Sequence, residues 1–157
     1  MSPALTFEPL ARHRALVPLL AEWFISEWPA WYGSGGQGNV EQDLRAFAAS
    51  ETTLPIGFVA FLAGKAVGAG ALKAESIPSH AHLSPWASAG FVVPELRGKG
   101  VGAGLLAAML GHARGLGFPH VYCGTSTAES LLLRSGWHAF EATQHAGKPL
   151  TVFRSAA

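Results

Sequence analysis

Three glycines at alternate positions, Gly98, Gly100 and Gly102, follow Arg97 and enclose Lys99, and that spacing can hold an anion. Backbone without Cβ atoms lets a ligand come close. Two cations sit within the same six residues. If a helix begins here, its first amides lack intrahelical partners and its dipole adds positive potential. The natural guest is a phosphate. Glycines inside a helix start weaken it by up to about 1 kcal/mol each relative to alanine. A ligand contact explains that cost, whereas two merely solvated loop charges do not.

Three other groupings carry reactive side chains. Gly33-Ser34-Gly35-Gly36-Gln37-Gly38 has the letters GxGxxG of dinucleotide sites. Those sites need a strand before the glycines and a βαβ unit around them, and Trp28-Pro29-Ala30-Trp31-Tyr32 is no central strand. The segment reads as a flexible loop between helices, mobile enough to serve as a lid. His80 and His82 could share a metal if their segment were extended, but no third ligand is placed nearby. No metal is expected, and both read as solvated loop histidines with a proton-accepting role in reserve. Trp23, Trp28, Trp31 and Tyr32 crowd together with Glu22 and Glu27. They read as a core corner where two helices meet, or as an aromatic wall over a substrate cleft with a carboxylate inside it.

The elements that must position these groups are legible in the periodicity. Phe91, Val92 and Val93 end a strand over residues 86–93, because Pro94 has no amide to give to a ladder. Val101, Leu105, Ala108, Met109 and Leu116 recur at helical spacing, and Gly115 to Pro119 end that helix near Arg114. Residues 120–125 form the next strand, which makes a strand, crossover helix and parallel strand. Ser126 or Thr127 is expected to cap a short helix through Leu131, Leu132 and Arg134, closed by Gly136.

Before the loop, a short strand is expected around residues 5–7 within the first nine. A helix follows from Leu10 through Leu16, Leu19, Leu20, Trp23 and Phe24, which Pro18 should bend or interrupt. Asn39 can cap a helix through Glu41, Leu44 and Phe47. Residues 55–62 and 66–72 read as a hairpin about Ala63-Gly64-Lys65. After the last helix, residues 137–142 and 150–154 form a closing strand pair about a turn at residues 146–149.

A chain of 157 residues that is 49% hydrophobic supports one core, so residues 1–157 are read as one domain. With 13% charged residues and a formal net charge of +1, no surface-wide field recruits nucleic acid or an acidic membrane. The lone cysteine excludes an internal disulfide and fits a reducing compartment. No signal-like segment or long apolar run occurs. The expectation is a cytoplasmic protein without nucleic-acid or membrane partners.

Arg97-Gly98-Lys99-Gly100-Val101-Gly102 resembles R-x-x-G-x-G, the acyl-CoA pyrophosphate loop of the GCN5-related N-acetyltransferase (GNAT) superfamily. The likeness extends over residues 86–137, through Leu116-Gly117-Phe118 to Arg134-Ser135-Gly136-Trp137. It implies an α/β (α+β) fold: a mixed, mainly antiparallel central sheet with a parallel strand pair around the loop, flanked by helices. It also implies acetyl-CoA as co-substrate and no metal. Gly90, Phe91 and Val92 would pair with the pantetheine arm as an extra strand. Amides of Gly98, Lys99, Gly100, Val101, Gly102 and Ala103 would take the pyrophosphate, with charge from Arg97 and Lys99 and with Lys99 able to reach a ribose phosphate.

The implied reaction is acetyl transfer to a primary amine, of a small molecule or a peptide N-terminus, by direct attack in a ternary complex. The amine must lose a proton, and a strand amide near Phe91 or Val92 would support the developing oxyanion. Two positions depart from the family. Its frequent tyrosine acid falls at Leu132, and its frequent glutamate falls at Trp86. Glu27, His82 and Tyr122 are the weak catalytic candidates that remain, with His80, Cys123, Thr125 and Ser126 as further replacements; Cys123 reads first as a small buried hydrophobe. The alternative function is a catalytically weak acyl-CoA-binding sensor or interaction module on the same fold. Few acidic residues lie near the presumed cleft, so a strongly polycationic amine is disfavoured and the aromatics lean towards an apolar or aromatic one. Such domains often pair, so a homodimer is compatible with the sequence.

Overall fold

The computed structural model describes residues 4–145 and 147–157. Its centre is a seven-stranded sheet in the order β1-β2-β3-β4-β5-β7-β6. In chain order the strands are β1 (Leu5–Pro9), β2 (Ile56–Leu62), β3 (Lys65–Lys73), β4 (Trp86–Val92), β5 (His120–Thr125), β6 (His138–His145) and β7 (Lys148–Ala156). Every neighbouring pair is antiparallel except β4 and β5. The helices are α1 (Val17–Glu27), α2 (Pro29–Tyr32), α3 (Val40–Phe47), α4 (Val101–Gly115) and α5 (Glu129–Arg134). This is the mixed, mainly antiparallel sheet with one parallel pair that the sequence implied.

Side-chain alternation divides the core between two faces. On β2, Phe58 and Ala60 face a cluster with Val101, Leu105 and Met109 of α4, while Val59 and Phe61 face Leu20 and Phe24 of α1 and Leu44 of α3. Both faces of β2 and β3 are therefore covered, which is why these strands are almost continuously apolar rather than alternating. Helix α4 lies close to β1, and a Cβ at Gly104 would stand 2.1 Å from Phe7 Cζ. A larger residue there would require the Phe7 ring to move.

Several local expectations are corrected. Pro18 marks an interruption rather than a bend: α1 begins at Val17, so the proline occupies the first turn, where its missing amide costs nothing. The apolar spacing from Leu10 belongs instead to two 3-10 turns, Leu10–Arg12 and Arg14–Leu16. Neither Ser126 nor Thr127 caps α5. No side chain caps that helix; Thr125 Oγ1 instead shapes the turn before it, accepting from the amides of Thr127 at 3.1 Å and Ala128 at 2.8 Å. Asn39 does cap α3, accepting from the Gln42 amide at 3.0 Å. The expected turn at residues 146–149 lies outside the described residues at Ala146, and Lys148 and Pro149 already belong to β7. Met1 to Pro3 also lie outside the described residues. No helix among those described is long and apolar enough to cross a membrane.

Candidate active site

Strands β4 and β5 meet only at Trp86 and Tyr122, where the Tyr122 amide donates to the Pro85 carbonyl at 3.0 Å. Beyond that bridge they diverge. The cause lies in β4, whose register against β3 slips so that Ala69 faces Phe91 but Ala71 faces Ser88. The extra length is taken up at Ala89, which holds φ 55°. An alanine in the left-handed region is strained by about 1–2 kcal/mol, and such strain collects at working sites.

The divergence opens a groove of about 880 Å³. One wall is the end of β4, from Ala87 to Val92; the other is Cys123 to Thr125 of β5 with Leu131, Leu132 and Arg134 of α5. Its floor includes Leu105, Leu106 and Met109 of α4, and Glu27 and Trp28 stand at its edge. At one end the groove meets the start of α4. Gly98 (φ 77°) and Gly100 (φ 91°) are left-handed, a conformation that lets the chain turn sharply into the helix. The first helical bond runs from the Gly104 amide to the Gly100 carbonyl, and no side chain caps this end. The amides of Val101, Gly102 and Ala103 have no protein acceptor among the described residues. They form a set of donors at a positive helix end.

The strand amides are sorted by alternation. Val93 donates to the Val67 carbonyl of β3 at 3.0 Å. Phe91, two residues earlier and opposite Ala69, turns its polar groups the same way, so Val92 turns its N–H and C=O towards the groove. Of the two amides expected near the reacting group, Val92 therefore has the free donor. The Val92 carbonyl accepts from Arg97 Nε at 2.9 Å. Arg97 Nη2 donates to Glu27 Oε2 at 2.8 Å, and the guanidinium lies 5.5 Å from the Phe91 ring centroid.

The remaining expected residues are distributed as follows. Gly90, Phe91, Val92, Arg97, Gly98, Gly100, Gly102 and Ala103 line the groove. Lys99 is exposed beside it, and the Val101 side chain is in the core, so only its amide can serve a ligand. Of the three weak catalytic candidates, the groove brings in only Glu27. Tyr122 is 8% exposed and packs between Trp86 and Phe140, in the cluster with Ile77 and Val152 rather than with α4. His82 is exposed on the β3–β4 connection, against His80.

His80 is not a solvated loop histidine. It is buried, with Nδ1 at 2.7 Å from Ser79 Oγ and Nε2 at 2.5 Å from Glu141 Oε2, tying this connection to β6. Among the described residues, no three His, Cys, Asp or Glu side chains gather where they could hold a metal. Cys123 lines the groove as a protonated thiol, because burial pushes its pKa up to about 11. Leu132 is 1% exposed and packed in the core.

The aromatic group is both core and wall. Trp23 stacks on Phe91 at 5.1 Å and Phe24 meets Trp28 edge-on, while Trp28 reaches the groove. Arg134 and Ser88 are groove residues that the sequence did not single out. Arg134 becomes visible only when the short helix is wound and set against α4 and β6. Ser88 emerges only with the register slip.

Residues 17–132 match the acetyltransferase (GNAT) family. No curated protein is a significant sequence match. Three of the solved structures that share the fold illustrate it. The yncA protein of Salmonella typhimurium, with its cofactor acetyl-CoA, has a TM-score of 0.75 at 17% identity, over 98% of this chain and 94% of its own. An aminoglycoside 6'-N-acetyltransferase complexed with coenzyme A has a TM-score of 0.76 at 12% identity, over 96% of both chains. The ribosomal-protein-alanine N-acetyltransferase of Brucella melitensis has a TM-score of 0.69 at 16% identity, over 98% of this chain and 99% of its own.

Proposed function

Since this chain belongs to the acetyltransferase (GNAT) family, we propose that it transfers an acetyl group from acetyl-CoA to a primary amine of a small molecule or a peptide N-terminus, with donor and acceptor held in one complex. The observation that carries the proposal is the groove between β4 and β5, which ends at the unpartnered amides of Val101, Gly102 and Ala103. A ligand with a diphosphate at one end and a slender arm at the other fits this shape and donor set. That all seven strands join one sheet supports residues 1–157 acting as one domain.

Acetyl-CoA supplies an acetyl group activated as a thioester. The chain's residues bind and orient it. Gly98 and Gly100 bring the loop close to the diphosphate, the α4 amides donate to it, and exposed Lys99 adds charge from the side. The edge of β4 from Gly90 to Val92 aligns the arm, with the Val92 N–H as the donor available to a carbonyl. Cys123, held as a neutral thiol, and Leu132 give that region an apolar wall without an acid. The amine gives up its proton to water in the open groove, and Tyr122 and His82 take no part from where they stand.

Charge supports one class of acceptor. The charged groove residues are Glu27, Arg97 and Arg134, and the single carboxylate is already paired with Arg97. A polycation would find nothing to neutralise it, so the acceptor is a small, singly charged amine with an apolar or aromatic body that meets Trp28.

The buried Leu132 favours a second reading, a weakly catalytic acyl-CoA sensor. One experiment separates the two: acetyl-CoA with an amine panel, following free thiol. Release above the hydrolysis background with apolar monoamines, and little with aminoglycosides, supports the enzyme. Binding of CoA in calorimetry with no release for any amine supports the sensor, and no binding at all refutes both.

A further inference from the structure

Glu27 and Arg97 are 70 residues apart in sequence, yet their 2.8 Å contact joins the last residue of α1 to the residue that opens the glycine loop. The same guanidinium closes a second bond, Nε to the Val92 carbonyl at 2.9 Å, and lies over Phe91. Phe91 in turn stacks on Trp23. Trp23 and Glu27 are four residues apart and so share one face of α1. That face holds Phe91 through one side chain and Arg97 through the other. The arrangement uses two separate nitrogens of a rigid planar fork, a geometry that the single ammonium of a lysine does not match.

We propose that Glu27 is a positioning residue, and that it holds Arg97 on the Val92 carbonyl so that the end of β4 is fixed with its Val92 N–H turned to the groove. The inference rests on the acetyl-CoA reading above. It assigns Arg97 to the backbone rather than to the diphosphate, and it removes Glu27 from the role of general base. It also leaves the Val92 N–H as the free donor of β4 towards the arm, to be met by a carbonyl oxygen.

The test compares Glu27→Gln, Arg97→Lys and the double variant with the wild type, using calorimetry with CoA and pH-rate profiles with the best amine. An exposed ion pair predicts about a two- to fivefold weaker Kd and a matching rise in KM for acetyl-CoA in either single variant. The double variant is no worse than the singles, because both act through one contact, and the acidic limb of the pH profile is kept. Unchanged CoA affinity in both single variants overturns the proposal. So does a hundredfold or greater loss of kcat in Glu27→Gln with disappearance of the acidic limb, the signature of a general base. Wild-type protein that binds no CoA refutes the acetyl-CoA reading itself, before any variant is compared. Both side chains are solvent-accessible, so circular dichroism of each variant is expected to match the wild type.

Discussion

Replacing Gly100 with alanine, next to the same replacement at Gly111, tests whether the loop geometry is a requirement of binding. Both glycines belong to one structural unit, as the residue that starts α4 and an interior helical residue. A Cβ at either would meet nothing within 4 Å, so neither substitution creates a clash. They differ in backbone. Gly100 holds φ 91°, and alanine there costs about 1–2 kcal/mol. Gly111 is in the helix interior, where alanine gains about 0.5–1 kcal/mol. Urea denaturation should therefore separate the two variants by roughly 2 kcal/mol, in opposite directions from the wild type.

Ligand then adds a second, independent reading. Acetyl-CoA at a hundred times its Kd stabilises the folded state by about 2.7 kcal/mol, and a tenfold loss of affinity cuts that to about 1.4 kcal/mol. Gly100→Ala should show the reduced increment, because the loop must relax away from the donor set at Val101, Gly102 and Ala103. Gly111→Ala should keep the full one. If the variants shift stability in the same direction, the left-handed assignment is wrong. If Gly100→Ala keeps the full increment, the α4 amides do not hold the ligand.

Four further outcomes follow from contacts already described. Ala89→Gly relieves the left-handed alanine at the β4 bulge and should raise the urea midpoint by the equivalent of about 1 kcal/mol. Glu141→Ala leaves the buried His80 Nε2 without its partner and should lower stability by about 1–3 kcal/mol, with faster proteolysis of the β3–β4 connection. Leu132→Tyr overpacks a side chain that is 1% exposed and should lower stability by about 1–3 kcal/mol. A concurrent rise in turnover would identify a missing acid at that position.

The Cys123 thiol, with its pKa near 11, should react slowly with alkylating reagents at pH 8 in the folded protein and quickly in urea. Because the folded state holds this proton more tightly than the unfolded chain, its stabilising contribution is complete below the unfolded thiol's pKa. That contribution is lost as pH rises towards 11. The cysteine's own share is the part of the alkaline loss that Cys123→Ala abolishes.

How much of this was legible depends on whether a feature is local. The β4–loop–α4 unit could be read directly because a strand stop at Pro94, glycines at alternate positions and an apolar stripe on α4 are all signals within twenty residues. The hairpin of β2 and β3 was equally plain, because two apolar runs flank Ala63-Gly64-Lys65; the turn itself is only Ala63 and Gly64, both at positive φ. The helix expected from Leu10 starts only at Val17, because apolar spacing does not distinguish 3-10 turns from an α-helix. The side chains of Tyr122, His82 and His80 could not be sorted by sequence either. Whether a residue faces the groove depends on the β4 register slip and on which way β5 is turned, and whether a histidine is buried depends on Glu141, a residue 61 positions away. The Glu27–Arg97 contact is invisible for the same reason.

The gap between β4 and β5 has a consequence for the behaviour of the protein in solution. A sheet normally has two edges, and here they are β1 and β6. By parting after a single bridge, β4 and β5 create two more edges in the middle of the sheet. Unpaired edge groups are templates for association with other chains. The left-handed Ala89 breaks the regularity of one interior edge, and α5 stands beside the other. These features make the gap a poor seat for a full strand with side chains on both faces, while a thin, unbranched ligand arm can still enter. The opening proposed for the ligand is thereby shielded from strand pairing with other chains.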